Sequence, residues 1–212
     1  AMFGVPYFAK ELDKVMARYG VNVHFGHNLV AVDAAAKKAI FELVGSDTGE
    51  QLVLDYDMLH ISPAQRPPQF VRESELADGA GYVEVDHHSM QHVRFDNIFA
   101  LGDVGCTPNS KTAAAVRKQA PVVVRNILNS IAGSELEAGY DGYGSCPLTT
   151  AYGKVMLAEF CYGGKVTPTF PLEPKQERWM MWWVKQTGLP IMYWDYMLKG
   201  YEWFVEHDRN CD

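Results

Sequence analysis

The amino-acid sequence predicts an α/β protein that ends in an aromatic helical segment. Three observations support this fold class: a helix followed by short strands in residues 1–60, an apolar strand that leads into a long helix near the middle, and the position of all five tryptophans between Trp179 and Trp203. The 212 residues are 48% hydrophobic. That share is enough to bury a core, and it excludes a mainly disordered chain.

The first part of the chain predicts one helix and four strands. Apolar side chains recur on one helix face at Phe8, Leu12, Val15 and Tyr19, and Gly20 ends the helix. Alternating residues predict a strand over 21–25, and further strands follow over 29–33, 39–44 and 51–54, with a turn at 46–49. A helix followed by an antiparallel meander is typical of the end of an α/β nucleotide-binding domain.

The middle of the chain predicts short strands and one long helix. Strands are expected over 58–62, 81–85 and 97–101, with a proline-rich crossover after the first of them. A helix over 111–129 follows, with Ser110 as its predicted N-cap. Pro121 lies inside this helix and is expected to bend or divide it.

The last third predicts a connector, strand structure and an amphipathic helix. Residues 133–145 are rich in glycine and tyrosine, and 148–160 read as strand. Apolar positions then recur at helical spacing at Ile191, Trp194, Leu198, Tyr201 and Val205. Such an aromatic face suits a lipid–water interface, and it equally suits packing on the protein's own core or on another subunit.

Composition and cysteine spacing exclude several classes of function. The formal charge of −7 argues against a general nucleic-acid binder, and no apolar run is long enough to span a membrane. The four cysteines, Cys106, Cys146, Cys161 and Cys211, form no C-x-x-C pair, so we expect no metal site built on paired thiolates.

A glycine and an acidic residue follow the predicted strand over 97–101. Because ligands of α/β sheets collect at the carboxyl ends of strands, Gly102 and Asp103 stand where a cofactor could bind, and the start of the next helix adds N–H groups. On spacing alone, Asp103 could equally be a residue that only caps the loop.

The residues around this pair resemble a known family. Asn97-Ile-Phe-Ala-Leu-Gly-Asp-Val104 resembles the second FAD-binding motif of flavoproteins with two dinucleotide-binding domains. With 107–116, Tyr143-Gly-Ser-Cys-Pro-Leu148 and Ala158-Glu-Phe160, the sequence is similar to the sulfide:quinone oxidoreductases from about Phe3 to beyond Tyr201. The resemblance implies the C-terminal portion of such a protein.

This resemblance implies FAD as cofactor, with sulfide and quinone as substrates. Gly102 and Asp103 carry over as flavin-binding residues, and Lys111 and Thr112 as residues near the flavin pyrimidine edge. Cys146 matches the second redox cysteine of the family, and on residue properties alone it could equally be an inert buried thiol. We expect its loop, between a glycine-rich bend and Pro147, to present the sulfur to a flavin.

The resemblance further implies peripheral attachment to a membrane through the aromatic helices, and an oligomer is possible. Weak candidates for the quinone pocket are Tyr152 and Phe160, either of which could be a core residue. The implied division of the chain is 1–60 as the rest of a NAD-domain-like α/β domain, 61–135 as the C-terminal part of the FAD domain, and 136–212 as the domain with the redox cysteine and the amphipathic helices.

Two family features are missing from the sequence. It contains no G-x-G-x-x-G, and no cysteine precedes Cys106. We therefore expect a truncated flavoprotein that is inactive alone. Three alternatives stay open: a soluble flavocytochrome-type sulfide dehydrogenase, an NADH:quinone oxidoreductase, and a non-catalytic module with a flavoprotein scaffold.

Overall fold

The computed structural model describes residues 1–46 and 49–202. The chain divides into two compact units, one formed by Ala1 with 13–65 and the other by 2–12 with the residues from Arg66 onward. The predicted turn at 46–49 and the predicted helical position Val205 lie wholly or partly outside the described residues. The domain boundary predicted after residue 135 stays a prediction.

The smaller unit contains an antiparallel meander. Its strands are β1 (His27–Asp33), β2 (Lys38–Leu43) and β3 (Gln51–Asp55), in the order β1-β2-β3. The helix before it, α1 (Pro6–Arg18), begins in the larger unit. The strands predicted over 21–25 and 58–62 are wrong, because both segments lack a paired neighbour in the described structure.

The larger unit is organised around one long helix and one hairpin. After the short helix α2 (Gln69–Arg72), helix α3 runs from Ala113 to Ala132 without interruption, so Pro121 does not divide it. Gly133 ends α3 in the left-handed conformation, where its N–H bonds the last carbonyl groups of the helix.

The hairpin consists of β4 (Gly144–Ala151) and β5 (Lys154–Phe160). Its inner face packs on α1 through Val5, Phe8 and Met156. A second cluster joins α3 to the connector before β4 through Ala115, Val122 and Tyr140. The strands predicted over 81–85 and 97–101 are wrong as ladders, because their described pairings are isolated bridges. These bridges join Val83 to Ala77 and Gly105, Val85 to His92, and Phe99 to Gln91.

Short helical turns follow the hairpin. They are α4 (Trp179–Trp183), a π-helical turn Val184–Gly188, α5 (Leu189–Ile191), a second π-helical turn Met192–Tyr196 and a 3₁₀ turn Met197–Lys199. The first turn packs on β5 and buries Met181. Several large apolar side chains of this helical segment stay exposed, among them Trp179, Trp183, Trp194 and Leu198.

Candidate functional site

Gly102 lies at a tight turn that faces α3. It has a φ of +70° and begins a 3₁₀ turn, Gly102–Val104. Its N–H donates to Oε1 of Gln119 at 2.7 Å, and Gln119 is fully buried on α3. A Cβ at this position would lie 3.3 Å from Cγ2 of Val116. The backbone conformation therefore favours glycine here, and the close approach of α3 adds to that preference.

Asp103 and Lys111 place opposite charges beside this turn. The Asp103 side chain is exposed, and Lys111 is half-buried. The Lys111 ammonium donates to the carbonyl oxygen of Gly105 and lies 4.5 Å from the ring centroid of Tyr82. Burial lowers the pKa of Lys111, and the negative charge of Asp103 opposes that shift.

The start of α3 offers free hydrogen-bond donors. Thr112, and not the predicted Ser110, is the N-cap, since its Oγ1 accepts from the N–H of Ala115 at 3.2 Å. The helix begins at Ala113, three residues after Ser110, because the chain is still extended at Thr112. Ala113 and Ala114 are the first two residues of the helix, so their N–H groups have no carbonyl earlier in the helix to which they could donate. They can therefore donate to an acceptor outside the helix.

The loop between Asp103 and Lys111 contains two buried polar atoms, Oγ1 of Thr107 and Oδ1 of Asn109, that have no hydrogen-bond partner within the part of the chain that the structure describes. Asn109 also borders a cavity of about 200 Å³ that Ser110, Phe160 and Tyr162 help to line. A buried polar atom left unbonded costs about 1–3 kcal/mol. These atoms are therefore available to hydrogen-bond a polar ligand or a water molecule.

Cys146 lies on β4 and not in the loop that the sequence predicts. Its register partner is Ala158 of β5, and its half-buried side chain packs against the cluster of α1 and the hairpin. The thiol is free, and burial raises its pKa. Pro147 is tolerated in the strand because β4 is an edge strand of a two-stranded sheet.

The beginning of β4 lies close to the start of α3. A Cβ on Gly144 would lie 3.6 Å from Cβ of Ser110 and 3.5 Å from Cε2 of Phe160. Cys146 follows two residues later, about 7 Å along the strand. The structure thus brings the sulfur-bearing strand next to the loop that holds Lys111 and Thr112.

Tyr152 and Phe160, the candidate quinone residues, are not brought together. Tyr152 is 96% exposed in the hairpin turn, where its ring lies 5.4 Å from that of Trp182. Phe160 is buried at the other end of β5. A strand of this length separates them by roughly 20 Å. A single quinone pocket that uses both side chains is not consistent with this geometry.

Two side chains near Cys146 were missed by the sequence analysis. Lys185 donates to the carbonyl oxygen of Pro147 at 3.0 Å and to Oγ1 of Thr149 at 2.7 Å. Glu159 is buried at the register position opposite Ser145. For Glu159, the sequence contained one signal: an acidic residue within an otherwise apolar strand. For Lys185 it contained none, because its partners Pro147 and Thr149 are distant in sequence.

Similarity to known proteins identifies the family of this chain. The family model described as pyridine nucleotide-disulphide oxidoreductase matches residues 5–120. The chain belongs to this family. The match includes the Gly102 turn and the start of α3, and it ends one residue beyond Gln119.

Curated relatives within the family carry one name. A mitochondrial sulfide:quinone oxidoreductase of Dictyostelium discoideum is 43% identical over 96% of this chain and 44% of its own length. Its counterpart in Mus musculus is 38% identical over 94% of this chain and 44% of its own length. The predicted resemblance is therefore confirmed, and the chain spans less than half the length of these relatives.

A solved structure has a similar fold. A chain in a cryo-EM structure of the Tetrahymena thermophila mitochondrial ATP synthase superposes with a TM-score of 0.77 and 29% identity. The similarity covers 89% of this chain and 45% of that one. Again the matched region is about half of the longer protein.

The described residues form neither a cluster of metal ligands nor a membrane-spanning helix. Over 1–46 and 49–202, no three His, Cys, Asp or Glu side chains are grouped so that they could hold a metal ion. In the same part of the chain, no helix has the length and hydropathy needed to cross a bilayer.

Proposed function

We propose that this chain is part of a flavoprotein that oxidises sulfide to sulfane sulfur and passes the electrons through FAD to a quinone. The observation that carries the proposal is the contact between the start of β4, which bears Cys146, and the loop at the start of α3. The relatives' shared name is consistent with it. In such a site, a thiol must lie next to the redox cofactor.

The residues around α3 are suited to holding FAD, which when bound supplies the two-electron acceptor. The exposed Asp103 carboxylate can accept a hydrogen bond from a ribityl hydroxyl, and the N–H groups of Ala113 and Ala114 can donate to a carbonyl oxygen. Lys111 provides a positive charge where negative charge develops on reduction. The unbonded Oδ1 of Asn109 fits an N–H donor of the ligand.

Cys146 supplies a sulfur for the reaction. Thiol–disulfide and persulfide exchange require the thiolate, and burial disfavours that form in this chain because it raises the thiol pKa. The reacting state therefore needs a nearby positive charge or a base that removes the proton. The chain alone is expected to give only background turnover, since it matches less than half of each relative.

The exposed apolar side chains of the helical segment support attachment to a membrane surface. Trp179, Trp183 and Trp194 are among the most exposed of these residues, and tryptophan favours the lipid–water interface. Charge contributes little, because the chain from Pro171 onward carries five basic and seven acidic residues. We expect binding to neutral phosphatidylcholine vesicles, which is lost when these three residues are replaced by alanine. Equal binding by the triple variant would contradict this attachment.

A chimera tests the proposed reaction. This chain would replace the matching 205-residue segment of the Dictyostelium discoideum relative. We expect the purified chimera to contain flavin, as seen in its visible spectrum, and to reduce a short-chain quinone only when sulfide is added.

Two matched cysteine variants show which sulfur acts. Cys146→Ser should abolish turnover and leave the flavin bound, whereas Cys106→Ser, a change at the other free half-buried thiol, should keep most of it. Sulfide-dependent turnover that survives Cys146→Ser would exclude sulfide chemistry at this cysteine, and quinone reduction that requires NADH in place of sulfide would favour an NADH:quinone oxidoreductase. A folded chimera with flavin and no sulfide-dependent turnover would refute the proposal.

A further inference from the structure

Glu159 is a buried acidic side chain that the proposed reaction does not use. It is 3% exposed, and its carboxylate accepts three hydrogen bonds. The Tyr143 hydroxyl and the Thr169 hydroxyl donate to Oε1, each at 2.6 Å, and the Thr169 N–H donates to Oε2 at 2.9 Å. Glu159 thus connects the residue before β4, the strand β5 and the segment after the hairpin.

The ladder between β4 and β5 has two irregularities on the far side of Cys146. Pro147 has no N–H to give to the ladder, and the register shifts between Thr149 and Ala151. A slip of one residue would turn every side chain of a strand to the opposite face. The orientation of Cys146 therefore depends on how firmly β4 is fixed on both sides of it, at its first residues and at Pro147, whose carbonyl accepts from Lys185.

The bond between Tyr143 and Glu159 fixes those first residues. Tyr143 directly precedes β4, and Glu159 lies opposite Ser145, one register position from the pair of Cys146 with Ala158. On the other side, the Tyr143 ring is 6.0 Å from the Arg117 guanidinium carbon and 5.6 Å from the Lys118 ammonium. Both cations belong to α3, so the network links α3 to the Cys146 strand.

We infer that Glu159 is a positioning residue, which keeps β4 in the register that directs Cys146 toward the apolar cluster of α1 and the hairpin. It acts through Tyr143 and Thr169 and touches no reacting atom. The chemical meaning of this position rests on the proposed function, in which Cys146 is the redox thiol. The register itself can be measured without turnover.

The test uses Cys146 as a probe and Cys106, the other free thiol among the described residues, as a reference. Iodoacetamide labelling of the full chain, followed by peptide mass spectrometry, gives the rate at Cys146 relative to Cys106. In Glu159→Gln and Tyr143→Phe we expect this ratio to rise about fivefold, the factor that corresponds to one lost buried hydrogen bond. Cys106 reports any general loosening, since it pairs with Val85 and lies outside the network.

Tyr7→Phe is the matched control, because Tyr7 also donates a phenol hydrogen bond to a carboxylate, that of Glu173, which is distant in sequence from the hairpin. It should leave the ratio unchanged. If Glu159→Gln fails to fold, Thr169→Val removes only the hydroxyl donor and gives the deciding ratio. An unchanged ratio in variants with wild-type circular dichroism would overturn the inference. A raised ratio together with a chimera that has no sulfide-dependent turnover would support the inference and refute the proposed function.

Discussion

Replacing Gly142 by alanine should destabilise the larger unit strongly. Gly142 is buried between Asp141 and Tyr143 with a φ of +83°, a conformation that costs an L-residue about 1–2 kcal/mol. A Cβ there would lie 2.2 Å from Cγ of Tyr162 and 2.6 Å from its backbone nitrogen. The nitrogen cannot move easily, because its N–H donates to the Asp141 carbonyl at 3.2 Å.

The overlap adds about 1–3 kcal/mol, the usual cost of overpacking, so the total loss is about 2–5 kcal/mol. For a chain of this size, that loss lowers the melting temperature by about 10 °C. Thermal unfolding followed by near-ultraviolet circular dichroism measures it. Gly139→Ala is the control, since a Cβ at Gly139 meets no atom within 4 Å and should cost less than about 0.5 kcal/mol. Equal melting temperatures for the two variants would refute the reasoning.

Three further predictions concern the site. Thr112→Ala should lower the unfolding free energy by about 1 kcal/mol through loss of the α3 cap, and Ser110→Ala by clearly less; equal effects in urea titrations would argue against the cap. Gln119→Leu leaves the Gly102 N–H without its acceptor and should cost about 1–3 kcal/mol, with faster hydrogen exchange at that amide. Burial raises the pKa of Cys146, so the folded state keeps a thiol proton that the unfolded state loses at high pH. The buried thiol therefore contributes fully to the free energy of unfolding at neutral pH, and this contribution is lost as the pH rises above about 9. In urea titrations, the Cys146→Ser variant should lose less unfolding free energy than the wild-type chain between pH 8 and about 10. Identical pH profiles for the two proteins would contradict the shift in the Cys146 pKa.

Local patterns predicted the elements that need few distant partners. Helix α1, helix α3 and the meander follow from apolar spacing, turn residues and alternation, all of which are readable within a short window. The strands predicted over 21–25, 58–62 and 97–101 depend on a neighbour elsewhere in the chain, and the described structure pairs none of them in a ladder.

The candidate site divides in the same way. Gly102, Asp103, Lys111 and Thr112 lie close together in sequence, so one motif was sufficient to predict them as a group. The resemblance correctly selected the family, but it did not indicate that Cys146 is on a strand. Proline usually ends a strand, and only the hairpin geometry shows that Pro147 stands at an edge.

Interactions between distant segments could not be predicted from the sequence. The carboxylate of Glu159 meets Thr169 ten residues away, and Gln119 reaches Gly102 across seventeen. Each of these polar side chains is buried, and the structure satisfies it with a partner that no periodicity identifies. Polar residues inside apolar segments were the only available signal.

The ammonium of Lys185 has a practical consequence for anyone who shortens this protein. Through this side chain, one of the C-terminal helical turns binds the backbone just past Cys146, at the carbonyl of Pro147. A shortened chain that ends before Lys185 would lose this hydrogen bond, and the far end of β4 would be released. A change in Cys146 reactivity in that chain would then come from the released strand and not from the loss of membrane attachment. C-terminal truncations of this protein should therefore keep Lys185.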